Sequence, residues 1–276
     1  MRSKRVLTVQ DISCFGQCSL TVALPVLSAT GIETVILPTA VLSTHTAGFK
    51  GFTFRDLSED IPSIIAHWKK EGLKFDGLYT GYLGSKADID YVKEIAKSEL
   101  LNGPIIIDPC FGDHGKLYGL FDEEYVKEVR SLCDGADFLL PNITEACYLL
   151  GIDYIGRVDE EKANELIQGL IKMGAKNVVL KGLSNGKGTI GVAVSNNEKV
   201  EFYFHEKLDK DYHGTGDVFA SVFVGAYMNG KTPFEAVKIA SNFVYECISS
   251  TIGDDDHPYG VEFEPRLGDL IAMIAK

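Results

Sequence analysis

A three-layer α/β/α domain with a mostly parallel central sheet and an antiparallel edge hairpin is the fold class this sequence predicts. Three observations lead to it. Short β-like runs alternate with helix-length amphipathic segments along most of the 276 residues. That rhythm changes once, at "TIGVAVSNNEKVEFYFHE", which reads as two strands around an Asn-Asn-Glu turn. Polar clusters, finally, follow one strand after another. Strands separated by about 10–15 helical residues imply right-handed βαβ crossovers and a sheet covered on both faces. The hairpin then closes one edge.

Taken in order, strand patterns fall at residues 5–10, 34–42, 77–80, 104–108, 138–140 and 177–181. Their Val, Ile, Leu and Thr content suits a pleated, buried surface. Helical patterns fall at 19–30, 57–71, 87–99, 122–133, 144–150 and 159–173. Two long helices, 217–228 and 233–250, and a last one at 267–275 follow the hairpin. No linker, repeat or low-complexity segment interrupts the series, so residues 1–276 are expected to form one domain.

In such sheets ligands bind beyond the carboxyl ends of the strands. There the sequence places "QDIS", "STHT", "TGY", "DPCFGDHG" and "PNITE" after the first five strands. One cluster would be a loop; five in register indicate a site.

Composition narrows the function. Lys and Arg total 27 against 39 Asp and Glu, a formal net charge of −12. That balance argues against a nucleic-acid partner, whose phosphates require basic patches. Backbone amides can still hold a small anion. The six cysteines are scattered with no Cys-x-x-Cys pair, so neither a zinc ribbon nor a dithiol redox motif is supported. No run approaches the about 18 apolar residues of a membrane span, and "MRSKRVLTVQD" lacks a signal peptide's apolar region. A cytoplasmic protein with reduced thiols is the expectation.

Several familiar patterns fail in context. "GLSNG" at 182–186 fits a G-x-S-x-G nucleophile elbow, but a strand pattern follows where an elbow needs a helix. "GKGTIG" fits G-x-G-x-x-G with the same defect, and no P-loop pattern occurs. The run Asp254-Asp255-Asp256-His257 reads as a solvated loop rather than a metal site.

"YHGTGDVFAS" is different. Glycines let backbone N–H groups crowd an anion, and the helix that follows adds partial positive charge at its N-terminus. The blander alternative makes Gly-Thr-Gly a turn and Asp217 a helix-capping carboxylate. With a phosphate bound there, Asp217 is instead placed to take a proton.

With "THTAGF", "TGYLGS", "DPCFGDHGKLY", "LLPNITEA" and "HGTGDVFAS" in this order and spacing, the chain resembles the ribokinase-like superfamily and, within it, the pyridoxal/pyridoxamine (vitamin B6) kinases. The resemblance covers nearly the whole chain. It implies an anion hole from Gly214, Thr215 and Gly216 and a catalytic base at Asp217. It implies ATP and Mg²⁺, with K⁺ a further candidate cation. The metal would be held by Glu145, largely through water, with Asp108. Asp108, Asn142, Lys181, Thr215, Gly216 and Asn242 are the candidate ATP-binding residues, and Asn142 is equally a helix N-cap. The acceptor pocket would draw on Asp11, Ser13, His45, Thr46, Tyr82 and Cys110. Small molecules, with neither nucleic acid nor membrane, are the expected partners, and a homodimer the expected assembly.

Two positions depart from the pattern. Lys181 stands where pyridoxal kinases carry a hydroxyl residue and resembles hydroxymethylpyrimidine kinases. Asp11 stands where the first loop usually has a serine, a charge suited to a protonated ring nitrogen or the aminomethyl group of pyridoxamine. Phosphorylation of the 5′-hydroxymethyl group of a B6 vitamer is therefore the expectation. A hydroxymethylpyrimidine kinase of thiamine synthesis and a non-catalytic binding protein on the same fold are the alternatives.

Overall fold

The computed structural model describes residues 3–186, 188–196, 199–254, 257 and 259–275. The tip of the predicted hairpin turn (197–198) and Asp255 and Asp256 of the acidic run lie outside these.

The chain begins with β1 (Arg5–Ser13), α1 (Leu20–Ala29), β2 (Glu33–Leu42), β3 (Phe54–Asp56) and α2 (Ile61–Lys70). Next come β4 (Gly77–Thr80), α3 (Lys86–Lys97), β5 (Ile105–Ile107) and a two-rung ribbon, β6 (Gly112–Asp113) with β7 (Lys116–Leu117). After α4 (Glu123–Cys133), β8 (Phe138–Leu139), α5 (Ile143–Leu150) and α6 (Glu160–Lys172) run β9 (Val179–Leu183), β10 (Thr189–Asn196) and β11 (Lys199–Glu206). Helices α7 (Thr215–Met228), α8 (Pro233–Thr251) and α9 (Leu267–Ala275) complete the described fold.

The main sheet has the order β3-β2-β1-β4-β5-β8, parallel except for β3. Single parallel bridges, Leu139 to Val178 and Asn142 to Lys181, join β8 to β9, from which β10 and β11 run antiparallel. The expected edge hairpin is there.

Strand alternation sorts the side chains into two cores. Leu7, Val9, Leu78, Ile107, Leu139 and Leu180 pack with α2 to α6 on one face. Val6, Tyr79, Ile106, Phe138, Leu140 and Val179 pack with α1, α7, α8 and α9 on the other. Neighbouring residues of a single strand thus serve opposite layers, as Ile106 and Ile107 do. Each fully buried Leu, Ile or Phe contributes about 1.5–3 kcal/mol.

Helix α7 is enclosed on most sides: 11 of its 14 residues are buried. It lies between α1 and α8, and close packing is written into its sequence. A Cβ on Gly225 would sit 2.5 Å from Thr30 Oγ1 and 2.9 Å from Thr30 Cβ.

The structure corrects several expected boundaries. Strand β1 runs three residues further than 5–10, so "QDIS" is its last rungs rather than a loop. Its register with β2 shifts between Gln10 and Ile12, a bulge that re-aims Asp11. Strand β3 and the β6–β7 ribbon lie where the sequence suggested loops. The ribbon turns through His114 (φ 50) and Gly115 (φ 76), both left-handed, as the commonest tight hairpins require. Among the described residues no helix is long and apolar enough to cross a membrane.

Gly225→Ala is expected to cost about 1–3 kcal/mol of stability through overpacking against Thr30. A urea midpoint equal to wild type would show that α1 and α7 can move apart.

Candidate active site

The strand order reverses between β1 and β4, since the chain leaves β1 for β2 on one side and returns to β4 on the other. Such a switch point opens a crevice at the carboxyl ends of its two strands. Asp11 and Ser13 end β1 there, and Tyr82 follows β4. Asp11 is 3% exposed and accepts a hydrogen bond from Ser13 Oγ at 2.9 Å. Tyr82 is buried, packs against Phe121 with ring centroids 5.2 Å apart, and has no partner for its hydroxyl.

His45, in the loop after β2, is buried with Nε2 2.6 Å from the Tyr259 carbonyl oxygen. Nε2 donates there, and Nδ1 is buried without a partner. Its ring lies 5.6 Å from His213, whose pKa is lowered by burial and by His45. Thr46, by contrast, is exposed on the same loop.

The anion-hole residues form the first turn of α7. Gly214 caps the helix in the left-handed region (φ 78), and a Cβ there would lie 1.8 Å from the Gln17 carbonyl oxygen. Only glycine fits. A Cβ at Gly216 would meet nothing within 4 Å, so this side of the turn is open. First-turn N–H groups have no intrahelical acceptor and can serve an anion.

Asp217 is the third residue of that turn, yet it does not cap its own helix. Its Oδ2 accepts from the backbone N–H of Ser19 at 2.9 Å, a residue 198 positions away. The helix-capping role that the sequence also permitted is therefore replaced by a long-range contact. Ser19 has φ 56 and ψ −131 and makes no side-chain cap for α1. That conformation costs an L-residue about 1–3 kcal/mol.

"DPCFGDHG" and "PNITE" prove to be one device. Asn142 and Glu145 form a reciprocal capping box on α5. Glu145 also accepts from Phe111 N–H at 3.1 Å, Asn142 Nδ2 donates to the Gly112 carbonyl at 2.8 Å, and Thr144 Oγ1 accepts from Gly115 N–H at 2.9 Å. The ribbon is thereby stitched to the start of α5. Asp108, at the end of β5, meets Lys181 of β9 at 2.9 Å, with both side chains largely buried.

Burial dominates the electrostatics. It pushes Asp217 up to about 7 and Glu145 up to about 8, with Asp108 adding to both. It also raises Asp11 and Asp108, against the Ser19 and Ser13 hydrogen bonds in the first case and Lys181 in the second. Burial alone would lower Lys181, but Asp108 and Glu145 outweigh it and keep the ammonium charged. Burial likewise raises the Cys110 thiol far above its ordinary value, so Cys110 faces the site as an uncharged group. Its backbone, at φ 49, turns the chain from β5 towards the ribbon.

Buried carboxylates in excess over Lys181 suit a hydrated divalent cation. The Glu145 oxygens are already engaged with N–H groups, which favours a metal held through water, as the resemblance implied. Asn242 is exposed on α8 and accepts from Tyr203 Oη at 2.6 Å across to β11. The structure gives it no contact with the carboxylates. Elsewhere among the described residues, Asp254, His257 and Glu262 carry possible ligand atoms within 4.8 Å of one another, with His257 Nδ1 2.7 Å from Asp254.

Sequence reasoning missed Ser19, Thr144 and Phe111. Thr144 stood within the quoted "PNITE" motif, but Phe111, and Ser19 towards Asp217, act through backbone N–H groups, which leave no trace in residue type.

A profile of the phosphomethylpyrimidine kinase family matches residues 23–260. The fold is similar to that of a Bacteroides thetaiotaomicron protein carrying the name phosphomethylpyrimidine kinase and solved with pyridoxal. The two are 37% identical over 98% of this chain and 96% of that one, with a TM-score of 0.92. Pyridoxal kinase from Lactobacillus plantarum is 32% identical over 98% and 97% of the two chains, TM-score 0.90. The hydroxymethylpyrimidine/phosphomethylpyrimidine kinase of Bacillus subtilis (strain 168) is 28% identical over 90% and 83%.

Between about pH 4 and 8 the folded state holds protons on Asp217 and Glu145 that the unfolded chain has lost. Stability of the metal-free protein is therefore expected to fall as pH rises through that window. Melting at pH 5.5 should exceed that at pH 8.5 by on the order of 10 °C, and Asp217→Asn with Glu145→Gln should flatten the slope. A slope unchanged in the double variant would place the titration elsewhere.

Proposed function

The chain belongs to the phosphomethylpyrimidine kinase family, and we propose that within it this protein transfers the γ-phosphoryl group of ATP to the 5′-hydroxymethyl group of a vitamin B6 vitamer. The observation that carries this reading is Asp217. It is a buried carboxylate at the open first turn of α7, fixed by a hydrogen bond from Ser19 and within electrostatic reach of Asp11 at the end of β1.

The chemistry follows from the parts. Phosphoryl transfer has a loose transition state, so the acceptor proton leaves late and aim matters more than strength in the base. Asp217, raised to about 7, is nevertheless a better base than an ordinary aspartate and takes the hydroxymethyl proton as the O–P bond forms. The N–H groups of Gly214, Thr215 and Gly216 receive the charge spread over the transferring phosphoryl oxygens. Lys181 neutralises a nucleotide phosphate oxygen from the far side. Magnesium would supply charge neutralisation when bound with the nucleotide. Glu145 and Asp108 are the residues that would hold it, through water, and Asn142 keeps Glu145 in place.

On the acceptor side Tyr82 closes over the ring, while Asp11 takes a cationic ring nitrogen or amine. His45 and Thr46 border the same pocket from the β2–β3 loop. Cys110 closes the floor as a neutral thiol. Asn242 and residues 207–212 are assigned to adenine, and K⁺, a homodimer and a cytoplasmic setting belong to the same proposal. A hydroxymethylpyrimidine kinase is the second reading, favoured by Lys181 and by Asp11, which suits an aminopyrimidine as well as an amine.

The test is ADP formation from MgATP with pyridoxal, pyridoxamine, pyridoxine, hydroxymethylpyrimidine and ribose offered singly. Turnover on a B6 vitamer that drops about 10²–10⁴-fold in Asp217→Asn is expected. Turnover on the pyrimidine alone would transfer the assignment to the second reading, and none on any acceptor would favour a binding protein. Because Asp217 must be ionised, kcat/KM should fall as pH drops below about 7. Ser184→Ala, in the G-x-S-x-G match, should stay within about threefold of wild type, and a loss beyond that would revive the elbow.

A further inference from the structure

Asp11 and Asp217 lie on different layers of the fold, one ending β1 and the other opening α7, and Ser19 meets both. Its backbone N–H donates to Asp217 Oδ2 at 2.9 Å, and its hydroxyl interacts with the Asp11 carboxylate. A single antiparallel bridge from Ile12 to Ser19 fixes the spacing between them. All three residues are buried, at 3%, 4% and 9% exposure for Asp11, Ser19 and Asp217. Ser19 holds this position in a backbone region that few L-residues adopt, and without capping its own helix. Helix geometry leaves that conformation unexplained, whereas the two carboxylates account for it.

We propose that Ser19 is a positioning residue that ties Asp11 to Asp217, so that a cationic group of the acceptor seated on Asp11 frees Asp217 to take the hydroxyl proton. The proposal rests on the reading of Asp217 as the base. No bond other than those of the proposed transfer is made or broken: the proton passes from the acceptor hydroxyl to Asp217.

The other groups around Asp217 do not supply such a signal. Cys18 from the loop before α1, Tyr79 from β4, Cys110 from the loop after β5 and Tyr118 beyond β7 are all raised above their ordinary values, chiefly by burial. They stay neutral near pH 7. Asp108 is paired with Lys181 at 2.9 Å, and Glu145 faces that pair from α5. His213, just before the helix, is lowered by burial and by His45 and is neutral too. Asp11 is thus the neighbouring carboxyl group that a cationic acceptor can pair with directly. Removing its negative charge lowers the cost of ionising Asp217, and an acceptor lacking a cation leaves that cost in place.

Carbon-13 NMR of the full-length protein reads this without turnover. The Asp217 carboxyl resonance, assigned by its loss in Asp217→Asn, is titrated in wild type, Asp11→Asn and Ser19→Ala, each with and without pyridoxamine. In Asp11→Asn the midpoint is expected to fall by on the order of half a pH unit. Ser19→Ala keeps the N–H but removes the hydroxyl, so Asp11 holds its proton to higher pH and the Asp217 midpoint falls towards the same value. A merely structural Ser19 would leave the midpoint unmoved or raise it. Pyridoxamine should lower the wild-type midpoint and leave Asp11→Asn unchanged. Equal midpoints in wild type and both variants would overturn the proposal whatever the substrate. A shift in the variants with no response to pyridoxamine would retain the coupling and contradict the B6 reading instead.

Discussion

The hydrogen bond from the Ser19 amide to the Asp217 carboxylate is the constraint around which much of this molecule is arranged. To bury an acid at the start of α7, the helix must be enclosed by α1, α8 and the sheet, so its sequence is apolar on all sides. To bring Ser19 to it, the β1–α1 loop must press against Gly214, which tolerates no side chain. Strain at Ser19, bareness at Gly214 and the enclosure of α7 are one requirement seen from three places. An isolated buried carboxylate would be prohibitive, and the amide makes this one tolerable without neutralising it.

A second economy lies in the capping box of α5. Asn142 and Glu145 satisfy the orphan donors of a helix N-terminus, an ordinary stabilising task. The same two side chains reach the Phe111 N–H and the Gly112 carbonyl, and so fix the ribbon that borders the site. Helix capping and a role in metal binding therefore do not compete for Glu145. The cap orients the carboxylate, and burial beside Asp108 gives it reason to welcome a cation.

Much of this was legible in the sequence, for identifiable reasons. The strand and helix alternation was readable because each buried strand carries apolar side chains for two layers, as Ile106 and Ile107 do. The glycines of "HGTGD" were readable because left-handed backbone and close approach demand them. What escaped was set by tertiary pairing. The rungs of β1 beyond Gln10 are polar and hold only because β2 runs alongside through the bulge. Strand β3 is three exposed residues with no periodicity. Ser19 reaches Asp217 through its amide, and Asn242 points to Tyr203, a partner that no motif announces.

Helix α7 also has a consequence for how the chain is made. It covers the face of the sheet formed by Val6, Tyr79, Ile106 and Phe138, but it starts at Thr215. A ribosome has therefore released every strand of the main sheet before the helix that shields one side of it exists. For that interval the nascent chain carries a bare apolar face, with only α1 available to cover part of it. Sheets completed by distant segments form slowly and expose surface that invites aggregation. The arrangement that encloses the carboxylate so completely thus makes the last quarter of the chain the custodian of a sheet whose strands all lie in about its first half.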